Sequence, residues 1–344
     1  MALEKELQKL VETPSISGFE RNIGEFIKKE LKPHSSVVRI DKIGNVIAKK
    51  GKGYPVIMLA AHMDEIGLIV KYIEKEGFVR FDTLGGWDER IMPAQKVRIY
   101  GSKGPIIGVI GSKPPHLMEK EEQKQPIKTK ELFIDIGAKD QKAAEKLVSV
   151  GDFITFHSEF NRMAGNRYTG YGFDNRVGCL VMMEVFKAAK NFKGTLYAVG
   201  TIEEELGLVG IRGATFGINP DVMVALDTTI AGDTPGISPH EQPIKMSEGP
   251  SIGIKDAIGV TSPRVRKWLT ETSKKSKIKF QFEIMSGGAT DASVVPMIRE
   301  GIPSGTLLVP TRYIHSPIEV VDMKDIEATI KLATEAVKSA GKYF

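Results

Sequence analysis

The chain has 344 residues, 41% of them hydrophobic, enough for one or two domains with full cores. Its single cysteine, Cys179, excludes an intramolecular disulfide, and no apolar run is long enough to span a bilayer, so no membrane partner is expected. The net charge of +5 comes from 48 basic and 43 acidic residues that are interspersed, which argues against a nucleic-acid-binding surface.

In chain order, residues 1–9 are charged with helical spacing and lack a signal-peptide pattern, and residues 23–31 continue an amphipathic helix. A cytoplasmic protein is the simplest expectation, and abundant Lys and Glu beside one Cys hint at a thermophile. The run Met58-Leu59-Ala60-Ala61-His62-Met63-Asp64 reads as a buried strand that ends in an imidazole and a carboxylate two residues apart. Strand alternation puts both heads on one face at the strand's C-terminal end. The pair suits metal binding, with Asp64 orienting the His62 ring; a plain His-Asp hydrogen bond closing the strand is the alternative.

From 68 to 162 the pattern is mostly β, with short alternating runs at 78–81, 96–100 and 106–110 separated by glycine turns. Within it, 113–131 clusters charge and two adjacent prolines and reads as a mobile loop. The flanking segments, 1–67 and 163–344, alternate strands with helices. The expected architecture is therefore an α/β fold, a mostly parallel sheet flanked by helices, interrupted at 68–162 by an inserted small β domain.

Further along, Asp174 opens an apolar helical stripe over 177–186 that contains Cys179, which reads as buried and structural; alone, Asp174 reads equally as an N-cap. The β-rich run 195–202 ends in Glu203, Glu204 and Glu205, and like charges at the mouth of a buried strand repel unless solvent or a cation compensates them. The apolar run 221–227 ends likewise in Asp227, and His315 stands beside a proline-fixed turn in Arg312-Tyr313-Ile314-His315-Ser316-Pro317. Together His62, Asp174, Glu205, Asp227 and His315 form an N/O ligand set, and two sites sharing a bridging carboxylate would hold two divalent ions, Zn²⁺ or Co²⁺. Glu204, beside a ligand but free of that duty, is the candidate general base. Ligands at strand C-terminal ends fit the rule for open α/β sheets.

The segments Ala60-Ala61-His62-Met63-Asp64-Glu65-Ile66-Gly67, Phe173-Asp174-Asn175-Arg176-Val177-Gly178, Glu204-Glu205-Leu206-Gly207-Leu208, Leu226-Asp227 with Ala231-Gly232-Asp233-Thr234-Pro235-Gly236, and Arg312 to Pro317 resemble those of M42-family metallo-aminopeptidases of the tetrahedral (TET) type. They run in the family's order across nearly the whole chain. The resemblance implies His62 and Asp227 on one metal, Glu205 and His315 on the other, Asp174 bridging, Glu204 as general base and Asp64 orienting His62. It further implies an exopeptidase that releases N-terminal residues from short unfolded peptides, dimerised through the inserted domain and assembled into a hollow homo-dodecamer. Glu203 stands where many relatives carry a neutral amide, and its charge is expected to raise the pKa of Glu204.

By the same resemblance Thr228-Thr229-Ile230-Ala231 and Ser286-Gly287-Gly288-Ala289-Thr290-Asp291 line the substrate pocket, with Ile230 and Gly288 as contacts. Neither segment offers a cation for an acidic side chain, and Asp291 reads as the cap of a helix starting at Ala292, so neutral, small N-terminal residues are expected. Rival readings are a non-catalytic assembly or peptide-binding protein of the same fold, and a serine hydrolase using Ser251 in Gly249-Pro250-Ser251-Ile252-Gly253. The proline before that serine and the lack of a helix after it argue against the second. A glycosidase built on paired carboxylates would leave His62 and His315 unexplained.

Overall fold

The computed structural model describes residues 2–190 and 192–344. Met1, the first residue of the expected N-terminal helix, lies outside them. Helices α1 (Ala2–Val11) and α2 (Arg21–Leu31) each bury one apolar stripe, Leu7 and Leu10 on the first and Ile23, Ile27 and Leu31 on the second, as their three- and four-residue spacing requires. Strands β1 (Val37–Ile40), β2 (Val46–Gly51) and β3 (Val56–His62) follow.

The next six strands close on themselves. They are β4 (Gly67–Ile73), β5 (Val79–Leu84), β6 (Lys96–Gly101), β7 (Gly104–Gly111), β8 (Phe133–Asp135) and β9 (Phe153–Phe156), joined in the order β4-β5-β8-β7-β6-β9, with the short helix α3 (Gln141–Ala144) before β9. Closure removes the free edges, and Leu68, Val70, Val79, Phe81, Val97, Ile99, Ile134 and Ile154 fill the interior. The segment 113–131 carries three short 3₁₀ turns, and its end is tied down where the Thr129 backbone and hydroxyl both donate to Glu89, each at 2.8 Å. After the barrel, β10 (Asn161–Arg162) pairs with β11 (Arg167–Gly170) in the large sheet, so that sheet resumes two residues ahead of the boundary drawn at 163.

The remaining elements are α4 (Phe173–Ala188), β12 (Thr195–Thr201), α5 (Val209–Ile218), β13 (Val222–Ile230), β14 (Ser251–Lys255), α6 (Pro263–Ser276), β15 (Gln281–Ile284), β16 (Ser304–Arg312), β17 (Glu319–Asp322) and α7 (Met323–Ser339). The large sheet runs β1-β2-β12-β3-β13-β16-β17-β11-β10, with β14 and β15 branching from β16. Its centre, β12-β3-β13-β16, is parallel, while β1-β2-β12 on one flank and β16-β17-β11-β10 on the other are antiparallel. The central strands are nearly continuous apolar runs because helices cover both their faces.

Alternation along those strands decides what reaches the site. On β3 and β13, Ile57, Leu59, Val222, Val224 and Leu226 pack on the side of α4, whereas Met58, Ala60, Met223 and Ala225 pack with Ile211 and Ala214 of α5. His62 extends the row of Met58 and Ala60, and Asp227 that of Met223 and Ala225, so both project to the α5 side. Among the described residues no helix is long and apolar enough to cross a membrane.

Candidate active site

The parallel register pairs His62 with Thr201, so β3 and β12 end level and the Glu203-Glu204-Glu205 turn begins directly beyond. There His62 Nε2 lies 3.2 Å from Asp174 Oδ1 and 3.5 Å from Asp227 Oδ1. His315 Nε2 lies 3.1 Å from Glu205 Oε1 and 3.6 Å from Asp174 Oδ2. Asp174 therefore turns a different oxygen to each imidazole. Two groups, His62 with Glu204 and Asp227, and His62 with Asp174 and Glu205, each bring one ligand atom per residue within 4.8 Å of the others.

Local structure explains how each group arrives. Gly172, not Asp174, occupies the N-cap of α4 in a left-handed conformation (φ 78°), and a Cβ there would collide with Glu65 Oε2. Asp174 and Asn175 depart from helical backbone angles, which swings the Asp174 carboxylate out of a capping position and towards the histidines. Glu319, buried on β17, accepts hydrogen bonds from the Asp174 and His315 amides, both at 3.1 Å, and so fixes two of these groups at once. Residue identity does not mark Glu319, because its partners are backbone amides, one four residues before it and one that only the fold delivers.

Asp64 does more than the sequence suggests. Nδ1 of His62 lies closer to the Asp64 carbonyl (3.1 Å) than to its carboxylate (3.5 Å), and either contact leaves Nε2 facing the cluster. The carboxylate itself accepts from Ser17 Oγ at 2.7 Å and from the Glu204 and Glu205 amides, each at 3.1 Å. Asp291 corrects an expectation. Thr290 supplies the cap to the Ala292 amide, while Asp291 is buried and accepts from Thr201 Oγ1 at 2.5 Å. Ser251 also departs from the rival reading: it is the fully buried first residue of β14, its hydroxyl without a hydrogen-bond partner among the described residues, in a strand rather than an elbow.

Burial and crowding set the electrostatics. Burial pushes the Glu204 carboxyl well above its ordinary range; His62 opposes the rise, and Asp227, Glu205 and Asp291 add to it. Glu205 and Asp227 are also raised, and Asp291 is pushed up to about 7, in each case first by burial. For the histidines burial acts downward but is outweighed: Glu204 and Asp227 hold His62 well above the usual range, and Glu205 holds His315 up at about 9. Cys179 is buried, and burial pushes its thiol up to about 12, so it is an inert core residue, as its place in the apolar stripe suggests.

Next to the cluster opens a cavity of about 1600 Å³. Thr228, Thr229, Ile230, Met285 and Gly288 line the part that continues from Asp227, which includes both expected contacts, Ile230 and Gly288. The carboxylate there, Glu283, is engaged by the Thr229 hydroxyl and by Gln242 Nε2 at 3.0 Å.

The family model described as M42 glutamyl aminopeptidase matches residues 44–332. A TET aminopeptidase from a marine sediment archaeon, Thaumarchaeota archaeon SCGC AB-539-E09, superposes with a TM-score of 0.96 at 37% identity over 98% of this chain and 96% of its own. The lysyl aminopeptidase of Pyrococcus furiosus is 35% identical over 95% of this chain and 94% of its own. The TET1 peptidase of Pyrococcus horikoshii, which assembles into a tetrahedron or a large octahedral shell, has a TM-score of 0.89 at 32% identity over 97% of this chain and 99% of its own. These similarities run the length of the chain and agree in activity class, and the chain accordingly belongs to the M42 family of metal-dependent aminopeptidases.

Proposed function

We propose that the chain is a dinuclear-metal aminopeptidase that releases N-terminal residues from short unfolded peptides. The observation that carries this reading is Asp174 facing His62 with one oxygen and His315 with the other. The donor set fits divalent ions: Asp174 Oδ1 is buried and, among the described residues, faces only the His62 ring nitrogen at 3.2 Å, and imidazole with carboxylate suits Zn²⁺ or Co²⁺. His62 and Asp227 would hold one ion, Glu205 and His315 the other, with Asp174 between them. When bound, the ions supply Lewis-acid polarisation of the scissile carbonyl and an activated water.

The rest falls to the chain. Glu204 takes a proton from the attacking water and returns it to the departing amine, the two halves of general base and general acid work that one carboxylate beside the ligands can perform. The substrate's uncharged α-amine would be held by one of the ions that these residues bind, which confines cleavage to the N-terminal bond. Thr228, Thr229, Ile230, Met285 and Gly288 give the cavity an uncharged stretch of wall, with Glu283 beside it already engaged, and this supports a preference for neutral residues, small ones first.

The test is hydrolysis of a free-amine dipeptide and its N-acetylated twin, before and after chelation and after Zn²⁺ or Co²⁺ is restored. Cleavage of the free amine alone, lost on chelation and regained with metal, is expected. Cleavage of neither peptide under any metal would favour a peptide-binding scaffold of the same fold. In a panel of aminoacyl amides, first place for Lys, Arg or Glu would overturn the neutral preference. The particle is proposed to be a hollow dodecamer of dimers joined through the barrel, a form akin to the tetrahedral assembly of the P. horikoshii relative. Light scattering checks it, and the mass of a monomer or an isolated dimer would refute it.

A further inference from the structure

The turn that carries Glu204 and Glu205 is held by side chains at four successive amides. Ile202 N donates to Asn45 Oδ1 at 3.1 Å, Glu203 N to Glu20 Oε1 at 3.0 Å, and Glu204 N and Glu205 N to Asp64. Glu203 is left-handed (φ 49°), a conformation that is unfavourable for a non-glycine residue and persists only where surrounding structure enforces it. It turns consecutive N–H groups towards the two carboxylates, an anion-cradling arrangement.

Glu20 comes from far away in the sequence. It stands at the N-cap of α2, yet its side chain makes no capping bond to that helix. Its Oε1 instead accepts from Gly18 N at 2.8 Å and from Glu203 N, while Ser17 of the same segment donates to Asp64. The segment is itself fixed by Arg176, whose guanidinium donates to the Ser15 carbonyl at 3.0 Å, and by the Phe19 ring 4.9 Å from that of Phe153 in the barrel.

We propose that Glu20 is a positioning residue for the catalytic turn: by holding the Glu203 amide it sets where Glu204 and Glu205 point, without touching either metal or substrate. The Ser15–Glu20 segment thereby ties the N-terminal helices and the barrel to the position of the general base. This rests on Glu204 being that base. Since both bonds fall on Oε1, glutamine can keep them, alanine cannot, and aspartate is too short to span the distance.

The experiment compares Glu20→Ala, Glu20→Asp and Glu20→Gln in the metal-loaded protein. It reads kcat and KM on a free-amine dipeptide, bound metal, and amide hydrogen exchange over 201–208. Ala and Asp are expected to speed exchange in that segment and to lower kcat, read at saturating metal, about tenfold or more with KM unchanged, since misplacing a catalytic group by about 1 Å can cost up to 10²-fold; bound metal falls in step if Glu205 moves with Glu204. Gln should match the parent in all readouts. Unchanged exchange and kcat in Asp, or a Gln variant as impaired as Asp, would overturn the proposal, and this comparison stands even if the alanine variant does not fold. An inactive parent would sink the aminopeptidase reading alone, because the exchange comparison still decides whether Glu20 holds the turn.

Discussion

Glu204→Gln is expected to lower kcat by about 10²–10⁴-fold while the protein keeps its fold and its metals. The substitution preserves volume and removes only the ability to take and return a proton. Because Glu204 is not assigned as a ligand, metal content should stay at the parent's level. Burial and the neighbouring carboxylates penalise the ionised Glu204 side chain, so a neutral amide there should leave the melting temperature unchanged or higher. Kinetics, elemental analysis and a thermal melt on one preparation separate these effects. A kcat within threefold of the parent would move the base elsewhere, with Asp291 the first place to look, since burial pushes its carboxyl up to about 7 in the same cluster.

Much of this site is legible before folding, for a physical reason. Parallel strands buried on both faces must be apolar throughout, so a His or Asp at the end of such a run, as at His62 and Asp227, has no packing purpose and announces chemistry. The sheet's parallel centre follows from the same runs and the helices between them. Closure of the barrel is less visible, because it depends on β4 meeting β9 across more than eighty residues of chain, which no local pattern encodes. Asp291 misleads because Thr-Asp-Ala before a helix resembles a cap, whereas Thr290 takes that role and Asp291 turns inward to Thr201. Glu20 and Glu319 stay hidden for another reason. Each is a carboxylate that joins a nearby backbone amide to one on a distant element, and backbone partners leave no trace in residue identity.

Asp174→Ala should remove both ions, whereas Asp227→Ala should release one. With Asp174 gone, His62 and Asp227 remain on one side and Glu205 and His315 on the other, two protein ligands each, fewer than the three or four that hold a divalent ion firmly. Asp227→Ala leaves Glu205, His315 and Asp174 together. A ligand that binds only the folded state stabilises it by about 2.7 kcal/mol at a hundred times its dissociation constant, so added Zn²⁺ should raise the melting temperature of the parent and of Asp227→Ala but not of Asp174→Ala. Acid should act in the same direction as the loss of Asp174. The metal-free His315, held up at about 9 chiefly by Glu205 against the pull of burial, must give up its proton before it can serve as a ligand, so affinity should rise with pH through the neutral range. Titration calorimetry at two pH values on the three proteins reads the stoichiometry directly. Two ions bound to Asp174→Ala with the parent's affinity would show that this carboxylate does not join the sites, and the dinuclear reading would have to be rebuilt around Glu205, whose oxygen already lies 3.1 Å from His315 and which clusters with His62 as well.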